Sequence, residues 1–314
     1  MAANVESMVY AGETPWHGLG TRVPAELTSD EVDVKAGLNW RVDLKKIQVC
    51  GGAAIEGYKS VVRSSDRKVL GVVSDLYNPI QQETVRGVCD ALVGEGKAVY
   101  HTAGSLNGGE DIWYLLKLPG DLVIGRDDLV GKFLLATNNH VGKRKFRILL
   151  TPIRVVCQNT LNAALVKGAR EGVAISHFGD AAARLEQAVR TLKVAAEYYD
   201  RFGNVAKQMY AYRYQDTQLK ALAATMFPAR ETEDAEEQPH WLVQRNRDKI
   251  IDLYENGKGH FGIRGTAWAA WNAVAEYTDW QRGKDENRTA NAWFGAGAAM
   301  KQKAFEVIQT QMAA

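Results

Sequence analysis

The chain has 314 residues, with 39 Lys and Arg against 37 Asp and Glu, so its formal net charge is only +2. Hydrophobic residues make up 46% and charged residues 24%. Those proportions exclude a largely disordered chain, a collagen-like repeat and a disulfide scaffold. At this length one large or two modest domains with ample core are expected. Cys50, Cys89 and Cys157 are odd in number and widely spaced, so neither a disulfide framework nor a metal knuckle is indicated and a reducing, cytoplasmic setting is expected. Met1 to Tyr10 lacks the basic head and apolar run of a signal peptide. No stretch approaches the ~18 apolar residues of a membrane span, and no membrane partner is expected.

The first half is rich in strand signals. Asp30 to Leu38 suits a short helix capped by Ser29 or Asp30. Asn39 to Val49 alternates apolar and polar residues and reads as a half-buried strand. Tyr58 to Arg63 and Val69 to Ser74 flank the polar stretch Ser64 to Lys68, a β-hairpin pattern. After Pro79, Gln82 to Gly94 has helical spacing through Val85, Val88, Cys89 and Leu92. Two more hairpins follow. Val99–Leu106 and Ile112–Leu118 are joined at Asn107–Glu110, and Lys132–Thr137 and Lys145–Val156 at Asn138–Gly142. Asn159 to Lys167 changes to a helical period.

From Ala181 onward the pattern is mainly helical, with an apolar stripe from Leu185 towards Tyr199 and further helices at Gln218–Met226, Arg245–Glu255, Thr266–Trp280 and about Ala290–Met312. Pro228 to Pro239 reads as an acidic linker. The expected class is α+β, with an antiparallel sheet-rich N-terminal half packed with helices and a helical C-terminal half. The expected division is a sheet-rich domain over residues 1–180 and a helical region over 181–314.

The small net charge conceals an uneven distribution. Gly131 to Arg170 holds eight basic residues, Lys132, Lys143, Arg144, Lys145, Arg147, Arg154, Lys167 and Arg170, and no acid, while five acids crowd Glu231 to Glu237. On a strand, Lys143, Lys145 and Arg147 share one face, repeating every ~7 Å, a spacing suited to successive phosphates. Lys132, Arg144 and Arg154 would support that row. The alternative is a solvated hairpin whose lysines keep an edge strand from aggregating.

Other constellations are less pointed. Trp16 and His17, in the glycine-rich Thr14–Thr21, suit a core plug or a base-stacking contact. Cys157 sits where a strand gives way to a helix start beside Arg154, an arrangement that binds anions and activates thiols; a buried structural cysteine is the simpler reading. The six histidines show no metal-ligand spacing, and no cofactor motif is present. Trp268, Trp271 and Val274 form one helical face suited to core or subunit contact.

Several segments carry a resemblance: Trp16–Gly20, Val73–Gln81, Ala103–Leu106, Thr151–Leu161, Trp271–Tyr277 and Ala292–Gly295. In this order they resemble the phage/plasmid-like protein family, domain of unknown function 932. The resemblance implies residence on phages, plasmids or integrative elements of bacteria and supplies no mechanism. At the level of architecture alone, helix, strand, hairpin and helix over Asp30–Gly94 resembles the core of ring-forming single-strand annealing proteins. That likeness implies single-stranded DNA held in a basic groove around an oligomeric ring. The leading expectation is therefore a mobile-element DNA-metabolism protein that binds single-stranded DNA without catalysis as a homo-oligomer. One alternative is an enzyme acting on nucleic acid or a nucleotide, with Cys157, His140 or His177 near Arg154. Another is an interaction protein countering host defence through its aromatic C-terminal region or its acidic segment.

Overall fold

The computed structural model of the chain describes residues 5–12, 20–24, 27–93, 98–154, 172–175, 195–229, 240–283, 288–293 and 295–314. In chain order these form β1 (Val5–Ala11), β2 (Thr21–Val23), α1 (Ser29–Ala36), β3 (Val42–Gln48), β4 (Ala54–Arg63), β5 (Val69–Ser74), α2 (Gln82–Val93), β6 (Val99–Leu106) and β7 (Asp111–Lys117). Next come β8 (Leu122–Ile124), β9 (Asp128–Asn139), β10 (Phe146–Arg154) and β11 (Gly172–Ile175). The helices α3 (Ala195–Ala211), α4 (Asp216–Met226), α5 (Trp241–Asn256), α6 (Ala267–Glu276), α7 (Arg288–Trp293) and α8 (Ala296–Ala313) complete the order. The expected α+β class, sheet-rich first and helical later, is what the chain forms. No described helix is long and apolar enough to cross a membrane.

Two compact units emerge. One is built from Met1–Pro119, Phe133–Leu150 and Gly172–Ala196, the other from Gly120–Lys132, Thr151–Glu171 and Glu197–Ala314. In the first unit, strands run in the order β11-β10-β9-β7-β6-β1-β2, and a separate three-stranded sheet runs β3-β4-β5. β1, which pairs antiparallel with β6, has no regular alternation, with Met8 to Ala11 buried in succession, and so carries no strand signal of its own.

Local chemistry sets the boundaries. Thr28, one residue ahead of the expected caps, starts α1 with a capping box to Glu31, and Gly37 ends it at φ 66°. The β6–β7 turn needs positive φ at Asn107, Gly108 and Gly109 in succession (55°, 67° and 92°), which only a glycine-rich turn sustains at low cost. The core joins the inner face of the small sheet (Val61, Val73) to Trp40, Tyr77, α2 (Val85, Cys89) and the large sheet (Ile112, Tyr114, Phe146). Burial pushes the Cys89 thiol pKa far up, so this cysteine is an inert packing residue. Asp33, 4% exposed, ties α1 to the sheet and α2. It accepts from the Tyr114 hydroxyl at 2.6 Å and the Arg86 guanidinium at 2.9 Å.

In the second unit Trp268 and Trp271 of α6 are fully buried and pack edge-to-face at 5.7 Å. The Trp268 indole N–H donates to Asp128 Oδ2 at 2.7 Å, and Lys301 pairs with Asp279 at 2.7 Å inside the core. The aromatic stripe is therefore core. The expected last helix is two, α7 and α8, with Gly295 at the N-cap of the second.

Candidate nucleic-acid interface

The expected row of cations does not form. β10 begins at Phe146, so Lys143, Arg144 and Lys145 lie in the preceding turn, and Arg147 alone among the four stands on the strand. The cause is Asn139, the last residue of β9 and 1% exposed. Its Oδ1 accepts the backbone N–H groups of Lys143 at 2.8 Å and Val141 at 3.3 Å. That side chain replaces strand pairing and winds the chain into a turn.

The turn is anchored to its neighbour. Asp111, 4% exposed at the start of β7, lies opposite Asn139 in the antiparallel β7–β9 register. Its carboxylate accepts from Asn139 Nδ2 at 2.7 Å and Asn107 Nδ2 at 2.8 Å, and it also pairs with the Arg144 guanidinium. The adjacent Glu110 pairs with Lys143 at 2.6 Å. Two of the expected phosphate contacts are thus committed to carboxylates that are remote in sequence but adjacent in the sheet.

The other expected cations lie elsewhere. Arg147 is half-buried and pairs across the strands with Ala174 of β11. Lys132 falls in the second unit, its ammonium 6.0 Å from the centre of the Tyr199 ring. Arg154 ends β10, and its side chain lies outside what is described, as do Trp16, His17, Cys157, His177 and the helix expected over residues 159–167. Buried His140 packs edge-on against Trp40 at 5.3 Å, a core position that presents no ring to solvent. No group of His, Cys, Asp or Glu suited to a metal ion occurs among the described residues.

Three turns converge around Asp111. Lys68, in the β4–β5 turn, donates to the Gly108 carbonyl at 2.9 Å. Arg63, which closes β4, makes a fork of bonds to Glu6 at 2.8 and 2.9 Å and a second to Asp66 at 2.6 and 2.9 Å. The guanidinium holds both carboxyls below their ordinary pKa. Arg63, Arg67, Lys68, Lys143, Arg144 and Lys145 therefore gather with Glu6, Asp66, Glu110 and Asp111 at one end of this unit. Exposed Arg67 and Lys145 have no carboxylate partner among the described residues.

The family model for a domain of unknown function, DUF932, matches residues 69–303. The chain belongs to the DUF932 family. No curated protein and no solved structure matches it. The DUF932 match starts at β5 and takes in the Asp111 anchor and the turn before β10, whereas β3, β4 and Arg67 precede it. Arg67 and Lys68 lie far upstream of the Gly131–Arg170 basic segment and join its turn only through the fold. The hairpin signals already placed their turn, but not which other turns would meet it.

Proposed function

We propose that this DUF932 chain binds single-stranded DNA without catalysis, as a DNA-metabolism protein of mobile elements. The observation that carries the reading is the three-turn end of the first unit. Six cations face four carboxylates there, and Arg67 and Lys145 are exposed and unmatched. An extended polyanion gains most from exposed cations with no internal partner, because binding releases its counterions without first breaking an ion pair. The paired Lys143 and Arg144 serve as a reserve. Their partnerships with Glu110 and Asp111 fix the shape of the turn and reduce its charge. The resemblance to phage and plasmid proteins supports the cellular setting, and strand annealing is the activity that this binding would serve.

Fluorescence anisotropy with a labelled single-stranded oligonucleotide, read across a salt series, tests the reading in both directions. Arg67→Asn, chosen because asparagine tolerates the positive φ of 62° at that position, combined with Lys145→Glu should weaken binding and flatten its salt dependence. Glu110→Gln should strengthen binding by freeing Lys143. Its ion pair lies near the surface, so the fold should lose no more than about 1 kcal/mol. Wild-type protein that binds no oligonucleotide at low salt refutes the proposal, and so does binding that both variants leave unchanged.

A further inference from the structure

Backbone strain singles out one cation of the three-turn cluster. Among the described residues only Arg67 and Asn107 combine a side chain with positive φ, at 62° and 55°. Both lie in the turns that meet at the Lys68 ammonium, which donates to the Gly108 carbonyl at 2.9 Å. Asparagine tolerates the left-handed region, and the Asn107 amide has Asp111 to hold it there. Arginine has no such tolerance, because its Cβ crowds the following carbonyl oxygen. Glycine at this position would make the same turn without strain.

The surrounding contacts impose that conformation. Arg63 is 7% exposed, and its Nε and one terminal nitrogen donate to the two Asp66 oxygens at 2.9 and 2.6 Å. Asp66 Oδ1 in turn accepts the Lys68 backbone N–H at 3.1 Å, and the Arg67 N–H donates to the Arg63 carbonyl at 3.0 Å. The backbone is therefore fixed on both sides of Arg67. Arg63 is itself held by Glu6 and stands 5.3 Å from the centre of the Trp40 ring. The facing turn is shaped to admit this frame. A Cβ on Gly108 would strike the Lys68 ammonium, and one on Gly109 would meet the Arg63 guanidinium at 2.6 Å. None of these contacts uses the side chain of Arg67, which is exposed.

Strain of this kind persists only where the surroundings over-determine it, and it gathers at ligand clamps. We infer that the Arg67 guanidinium takes a phosphate of the single strand, and that Arg63 and Asp66 are its positioning residues. This rests on the single-strand binding proposed above and adds which group the site takes and how it is held. A guanidinium on a fixed backbone meets two oxygens of one phosphate as a fork, and loses less freedom on binding than one on a mobile turn. Phosphates repeat identically along a strand, so a contact at Arg67 reads the backbone and not the bases. Asp66 then has two opposed effects on an incoming polyanion: its charge repels, and its hydrogen bonds hold Arg67 in place. Arg63 already matches that charge and salt screens it, so the positioning effect is the larger.

Two variants of Asp66 remove the same charge and separate these effects. Asp66→Asn keeps an oxygen for the Lys68 N–H, whereas Asp66→Ala keeps none. In fluorescence anisotropy with a single-stranded oligonucleotide, Asp66→Ala should bind roughly threefold to tenfold more weakly than wild type, and Asp66→Asn should stay closer to it. Arg67→Gly should raise the midpoint of urea denaturation by relieving the strain, while weakening binding and making its salt slope shallower by about 0.7. If wild-type protein binds and Asp66→Ala binds at least as tightly as Asp66→Asn, the positioning role is refuted while the binding proposal stands. Arg67→Gly with wild-type affinity refutes the phosphate contact, and with a lowered midpoint it refutes the strain. If wild-type protein binds no oligonucleotide, both proposals fall.

Discussion

Replacing Asp111 with alanine is the sharpest test of how the candidate interface is built. The variant removes one acceptor that serves Asn139, Asn107 and Arg144. Asn139 is 1% exposed, so its amide loses its partner where water does not replace it, at a cost of about 1–3 kcal/mol. The Asn107 bond to a charged acceptor adds about 1 kcal/mol after partial rehydration. The Arg144 side chain is 36% exposed, so solvent takes over much of its pairing and the loss there stays below about 1 kcal/mol. Together the first unit should lose about 3 kcal/mol, close to a hundredfold in its folding equilibrium. Urea denaturation should show a lower midpoint with an unchanged slope. Hydrogen exchange should show Val141 and Lys143, whose N–H groups bond to Asn139 Oδ1, losing protection ahead of the strands. Glu110→Gln, which breaks only the Lys143 pair, should keep that protection. An Asp111→Ala protein with wild-type midpoint and wild-type exchange at those two amides would refute the view that Asp111 organises the turn.

Two further outcomes concern pH and the Arg63 fork. His101 is the bulged residue between Tyr100 and Thr102 in the β6–β7 register, packs edge-on against Phe133 at 5.0 Å, and has its pKa pushed down from 6.5 to about 4 by burial and then by Lys117. The unfolded chain takes up this proton near its ordinary value and the folded chain only near pH 4. Stability should therefore fall by up to about 3 kcal/mol as pH drops through that interval, and His101→Phe should flatten the slope in denaturation curves taken between pH 7 and 4. Arg63→Lys loses the fork to Glu6 and should cost about 2 kcal/mol at neutral pH. Because Glu6 and Asp66 have lowered pKa values, the stabilisation is present above their ordinary values and disappears as pH falls through the lowered ones. The gap between wild type and variant should then close in acid, and a gap of constant size would contradict the ion-pair account.

Much of the fold was legible because its signals are local. The turn Asn107–Glu110 between two alternating runs located β6 and β7 to within a residue at each end, and the apolar spacing from Val85 to Leu92 located α2. Trp268 and Trp271 read as core or subunit contact from their three-residue spacing, and within the chain they are core. Illegible features depend on partners distant in sequence. β1 is a strand because β6 offers it an edge, and β8 is one because it pairs with the first residues of β9; each is too short or too uneven to declare itself alone. Asn138-Asn139 reads as a turn by composition, yet both residues end β9. Their amides are buried against the Ile80 carbonyl at 2.8 Å and the Asp111 carboxylate at 2.7 Å, bonds that tertiary packing alone supplies.

The same distinction governs the charge. Counting along the chain found eight cations without an acid between Gly131 and Arg170, but a sheet brings neighbours from other strands. Asp111 lies opposite Asn139 in that sheet, so the turn that carries Lys143 and Arg144 is built against carboxylates about thirty residues upstream in the chain. A meander in which β6, β7 and β9 follow one another could have signalled this, since each of its turns at one end must sit beside the next but one. What then remains available to a polyanion is decided by the pairing. A cation bound to a buried acid, as Arg144 is to Asp111, gains little from a phosphate, because taking it up means abandoning a partner that itself cannot reach water. Exposed cations with no partner gain the full counterion release. On the proposed reading, weight therefore passes from Lys143, Arg144 and Arg147 to Lys145 and Arg67. If the chain binds a polyanion as proposed, the residues that would carry binding are those the fold leaves unmatched.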